Sequence, residues 1–174
     1  MTQLFKKFST VFASLMICFI TVLTLTGCIG EAEYTASSGF YWSSDAGATY
    51  KNGTKEYEVG ENVYMQLIVR VDSTSKSQDK IGVTLAIPYV QDVVSKYYDG
   101  QVITPEVDEL NHTTTYNFTV IASNSATDSK FIFKFIPTKA TDITLTLTFD
   151  DNVDPIYDKQ NTITFIEPVE SPEA

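Results

Sequence analysis

An all-β sandwich is the fold class that the sequence predicts, and three observations predict it. Apolar residues recur at every second position in several separate runs, the period of a strand with one buried face. Polar stretches rich in Gly, Asn, Asp and Ser divide those runs. Beyond residue 30, no long stretch keeps the 3.6-residue period of a helix. Seven to eight short antiparallel strands arranged in this way form a sandwich.

Taken in order, residues 28–38 are small and polar and read as a tether, and a first strand is expected over residues 39–42, Gly-Phe-Tyr-Trp. Residues 43–47 and the pair Asn52-Gly53 carry turn chemistry. The clearest strand spans residues 62–71, where Val63, Met65, Leu67, Val69 and Val71 alternate with Tyr64, Gln66, Ile68 and Arg70. A polar loop follows over 72–80. Ile81, Val83, Leu85 and Ile87 then alternate until Pro88, which has no N–H to give to a ladder. Residues 89–98 fit two readings. Val90, Val93, Val94 and Tyr97 stand at helical spacing, so this stretch is either a short helix or an edge strand.

A short strand is expected at 101–104 and an acidic loop at 106–111. Three runs come next. Tyr116, Phe118 and Val120 share one side, Phe131, Phe133 and Phe135 share another, and ITLTLTF sets Ile143, Leu145, Leu147 and Phe149 against three threonines. A last strand at 161–167 has Ile163 and Phe165 inward, and residues 168–174 are an acidic tail containing proline.

The stretch Val59-Gly60-Glu61-Asn62-Val63 leading into a long alternating strand resembles bacterial immunoglobulin-like domains, as does the late pair FIFKFIP and ITLTLTF. The resemblance covers residues 39–167 and implies an immunoglobulin-like β-sandwich. Antibody-type domains carry a disulfide and a central tryptophan, and this chain departs from both, since Trp42 lies near its start.

The chain opens differently. Lys6 and Lys7 precede an uncharged run over residues 11–25, the layout of an export signal. Those 15 residues would span only ~22 Å as a helix, short of the ~30 Å hydrocarbon core, so a cleaved signal helix is expected over 1–27 rather than a permanent span. Leu25-Thr26-Gly27-Cys28 follows directly and resembles the lipobox of bacterial lipoproteins. The resemblance implies cleavage between Gly27 and Cys28, and a diacylglyceryl group joined to the Cys28 thiol through a thioether. Two acyl chains hold a protein stably at a bilayer where one holds it marginally. The membrane, through this lipid anchor, is therefore the first expected partner, on the extracytoplasmic side.

Loss of residues 1–27 removes two lysines and no acid, which takes the formal charge from −10 to −12. A chain so acidic is a poor partner for nucleic acid, which needs a basic surface. The cysteines are Cys18, within the signal, and Cys28, used for lipid, so the fold must rest on its apolar core without a disulfide.

Sites for chemistry are few. Asp150, Asn152 and Asp154 have the D-x-N-x-D spacing that opens an EF-hand, a weak metal candidate. Pro155 stands where that loop needs its turn glycine, and Asn161 where it needs a bidentate glutamate. The expectation is a hairpin loop with no metal. His112 is the single histidine, no serine sits in a G-x-S-x-G elbow, and no glycine-rich phosphate loop is present. Neither catalysis nor a cofactor is expected. The aromatic group Phe40-Tyr41-Trp42 supplies the candidate ligand contacts Tyr41 and Trp42, since exposed Tyr and Trp rings stack on sugars and anchor interfaces. The function that follows is a membrane-anchored binding or structural module with an envelope protein or glycan as partner. The rival readings are an assembly factor of an envelope complex and a hydrolase using paired carboxylates.

Overall fold

The computed structural model describes residues 34–53, 56–74, 78–150, 152–155 and 160–168. The expected signal peptide, Gly27, Cys28 and most of the tether and tail lie outside them. Eleven strands lie among the described residues: β1 (Tyr34–Ser43), β2 (Glu56–Glu58), β3 (Val63–Ser73), β4 (Lys80–Pro88), β5 (Val90–Tyr97), β6 (Pro105–Asp108), β7 (Thr113–Ile121), β8 (Ser129–Pro137), β9 (Thr141–Phe149), β10 (Val153–Pro155) and β11 (Gln160–Ile166). No helix among the described residues is long and apolar enough to cross a membrane.

Two sheets face each other as an immunoglobulin-like β-sandwich. One has the order β10-β1-β3-β8-β5 and the other β2-β11-β9-β4-β7-β6. The alternating runs explain why they stack. Met65, Leu67 and Val69 of β3 and Phe131, Phe133 and Phe135 of β8 point into the interior, where Leu85, Tyr116 and Leu145 of the second sheet meet them. Ring contacts cross the gap. Phe118 lies 4.2 Å from Phe131, and Tyr116 stands edge-on to Phe133 at 5.0 Å between centroids.

Three expectations are corrected, and the open reading of residues 89–98 is decided in favour of the edge strand. The first strand begins at Tyr34 rather than Gly39, because residues 34–38 pair with β3 without a break, from Tyr34 opposite Ser73 onward. Its start was hidden by small side chains, although Tyr34 and Ala36 are buried. Residues 90–97 are an edge strand, and the register with β8 slips between Asp92 and Val94. That bulge inserts one residue, which turns a period of two into an apparent helical spacing. The acidic stretch at 106–111 contributes β6, an edge partner of β7. The strands are not all antiparallel, since β10 runs parallel to β1 and β2 parallel to β11. Each parallel pair joins strands far apart in the chain, so no tight turn has to connect them.

Candidate functional site

The register of the five-stranded sheet decides which side chains share its outer surface. Opposite residues of an antiparallel ladder project to the same side. Tyr41 stands opposite Gln66, Gln66 opposite Ile132, and Ile132 opposite Lys96, which bridges in turn to Val102. The next row holds Gly39, Ile68 and Lys130, and the row on the other side holds Ser43, Tyr64, Lys134 and Val94. Four strands thus build a broad surface of tyrosines, aliphatic groups and cations.

Gly39 shapes it. A Cβ there would lie 2.9 Å from Cε2 of Tyr41, so the Tyr41 ring is laid across the bare backbone of the glycine. Beside the ring is a shallow depression of about 360 Å³, lined by Ser37, Ser38, Gly39, Tyr41, Ile68, Arg70 and Asp128. Arg70 donates from Nε and Nη2 to Asp128 Oδ1 at 2.9 and 2.8 Å. The depression therefore combines a flat aromatic ring, an ordered guanidinium–carboxylate pair and serine hydroxyls. Farther along the surface, the Lys134 ammonium sits 5.3 Å from the Tyr64 ring centre and that of Lys130 5.8 Å from Tyr98.

Of the two expected ligand contacts, only Tyr41 lies on this face. Trp42 is 1% exposed and points inward, with its ring 5.7 Å from Tyr57. Consecutive strand residues face opposite sides, so a Tyr-Trp pair cannot present both rings to one ligand. The weak metal candidate Asp150, Asn152 and Asp154 falls in a turn and an edge strand. Asp150 Oδ2 accepts the Gly82 N–H at 2.6 Å, and Asp154 belongs to β10, opposite Thr35. The D-x-N-x-D spacing thus opens a turn and an edge strand instead of an EF-hand loop, while Asp151 and Asp158 lie outside the described residues. Among the described residues, no three His, Cys, Asp or Glu side chains gather around a common point. His112 is exposed at a positive φ of 51° and stacks on Tyr89.

A larger opening of about 600 Å³ lies where β5 and β7 border the interior, with Tyr97, Thr119, Ile121 and Ser125 in its wall. Its hydroxyls are largely engaged with one another. Ser123, Ser125 and Thr127 are linked in series, and the Tyr97 hydroxyl meets the Thr119 backbone. One polar group in the interior was not anticipated. Asp92 accepts hydrogen bonds from Ser95 Oγ and, at 3.0 Å, from the Tyr116 hydroxyl. Burial, followed by the negative charge of Asp92, pushes the Tyr116 phenol above its ordinary range. It holds β5 against β7.

No protein-family model matches the chain, and no curated protein matches it. Solved structures do. The sandwich is similar to a non-cellulosomal cohesin from the hyperthermophilic archaeon Archaeoglobus fulgidus, at 15% identity and a TM-score of 0.42, covering 78% of this chain and 93% of that one. It is similar to the CARDB domain of a Pyrococcus furiosus protein, solved in complex with di-metal ions, at 11% identity and a TM-score of 0.43, covering 78% and 94%. A cohesin module of a family 33 glycoside hydrolase from Clostridium perfringens is similar at 8% identity and a TM-score of 0.45, covering 75% and 98%. These are likenesses of architecture.

Proposed function

We propose that the protein is a membrane-anchored binding module of the cell envelope, without catalytic activity, that contacts its ligand through the outer face of the five-stranded sheet. The signal over residues 1–27 directs export, and the lipid on Cys28 holds the sandwich at the extracytoplasmic surface. β1 begins six residues after Cys28, at Tyr34, so an extended tether spans ~20 Å at most. The observation that carries the reading is the Tyr41 ring laid over Gly39, beside the Arg70–Asp128 pair. A rigid ring with ordered polar neighbours can stack on and orient a ligand at little entropic cost.

The test uses the full chain purified in nonionic detergent and titrated with envelope glycan and protein fractions. Tyr41→Ala should weaken capture tenfold or more, about 1.4 kcal/mol, with the melting temperature unchanged. Capture that survives this substitution undiminished, or a ligand that is consumed during the titration, overturns the reading.

A further inference from the structure

We infer that the ligand of this face is an extended, phosphodiester-linked polyol or sugar chain, a polyanion whose charges repeat along its length; this rests on the binding reading above. Lys130 and Lys134 both project outward from β8, and Lys96 of β5 faces Ile132, midway between them. Along the strand direction the three lysines therefore follow one another at intervals of two residues, about 7 Å, while stepping between strands about 4.8 Å apart. The result is a staggered cationic row about 14 Å long.

Two of the three ammoniums rest near tyrosine rings. Among the described residues none of the three pairs with a carboxylate, and the ion pair found there is Arg70–Asp128. Apolar groups border the row. Tyr98 is 70% exposed and Val102 69% exposed, surfaces that suit the carbon skeleton of a polyol or sugar.

The row is conspicuous because the chain as a whole is acidic. The outer face of the six-stranded sheet carries Glu56, Glu58, Glu106, Asp108 and Asp142 against Lys80. On the five-stranded sheet Asp72, Asp128 and Asp154 lie toward the end where β1 starts, while Asp45 follows β1 at the Tyr64 end and Asp99 follows Tyr98. Basic groups are thus gathered where a polyanion can lie along the strands. Phosphate is favoured over carboxylate because the forked donor that matches a carboxylate, Arg70, already holds Asp128. The remaining cations are ammonium point charges, which serve phosphate well.

The experiment titrates the full chain, in nonionic detergent, with a synthetic poly(glycerol phosphate) oligomer. Polygalacturonate, polyglutamate and neutral dextran of similar length run beside it, with anionic vesicles as a further arm. The glycerol phosphate oligomer should bind in preference to the three soluble polymers, and about 100-fold more weakly after a tenfold rise in salt, as expected for three phosphate contacts. Lys96→Gln, Lys130→Gln and Lys134→Gln should each weaken it severalfold, and each should lower the salt dependence while leaving the melting temperature unchanged. Equal or tighter binding of polygalacturonate or polyglutamate, or vesicle capture that Lys96→Gln, Lys130→Gln and Lys134→Gln abolish, overturns the phosphodiester assignment. Capture of a neutral glycan or a protein that depends on Tyr41 and ignores the lysines overturns this inference and leaves the binding reading standing. Binding that ignores both Tyr41 and the lysines removes the two together.

Discussion

Phe133 lies between Tyr116 and Phe118 of the facing sheet, with ring centres 5.0 and 6.5 Å away, and is fully buried. Leu145 is equally buried on β9. Neither site has solvent into which it could relax, so truncation leaves a cavity as well as lost contacts. Phe133→Ala should cost about 3–5 kcal/mol and Leu145→Ala about 2–5 kcal/mol, read from urea unfolding of the chain. Buried phenols add a dependence on pH. Burial pushes Tyr57 up to about 12, against an unfolded value of about 10. Below the unfolded value both states keep the proton and stability is full. Above it the unfolded chain ionises first, so stability should fall as pH rises from about 10 toward 12. Tyr116, also raised, steepens the loss. Tyr57→Phe should reduce the slope in alkaline unfolding curves, and an unchanged slope would show that the phenol is no more buried than in the unfolded chain.

At the scale of elements, pairing on both sides separates the strong strands from the weak. β3 lies between β1 and β8, and β4 between β9 and β7, whereas β2, β6 and β10 are edges of three or four residues. Backbone amide exchange should therefore be slowest at the centres of β3, β4 and β8 and fast throughout β2, β6 and β10. Slow exchange at Glu56–Glu58 would contradict that order. The same contrast explains what could be read in the sequence. β3 was legible because Val63, Met65, Leu67, Val69 and Val71 show five successive inward steps. A strand of three residues is too short to show a period. Glu106 and Asp108 looked like a loop because sheet edges carry charge, which discourages further pairing. In β5 the bulge broke the alternation that would have identified it.

Across the whole molecule, charge is divided between two outward surfaces, with the lysine row on one sheet and most of the opposing acids on the other. Composition alone conceals this division, since net charge is a sum without direction. Only Tyr41 of the proposed binding face was legible in the sequence. Its neighbours Arg70, Lys96 and Lys130 come from three other segments, which strand pairing brings onto one surface. Trp42 was misleading because aromatic identity does not say which way a strand residue points. Anchoring also belongs to this scale. Cys28→Ser should leave an unprocessed precursor that takes up no tritiated fatty acid during growth, and undiminished label in that variant would sink the lipid-anchor proposal.

The ladder between β1 and β3 has a mechanical consequence. Ten successive residues, Tyr34 to Ser43, are held in unbroken antiparallel register, and β10 lies along the other side of the first three. If Cys28 carries the proposed lipid, a load applied to the proposed binding face would leave the described sandwich at Tyr34, the first residue of β1. The hydrogen bonds of an antiparallel pair lie across the strands, so a pull along β1 would shear the ladder as one unit instead of opening it bond by bond. On the lipid-anchor proposal, a sandwich so tethered would be suited to bearing tension.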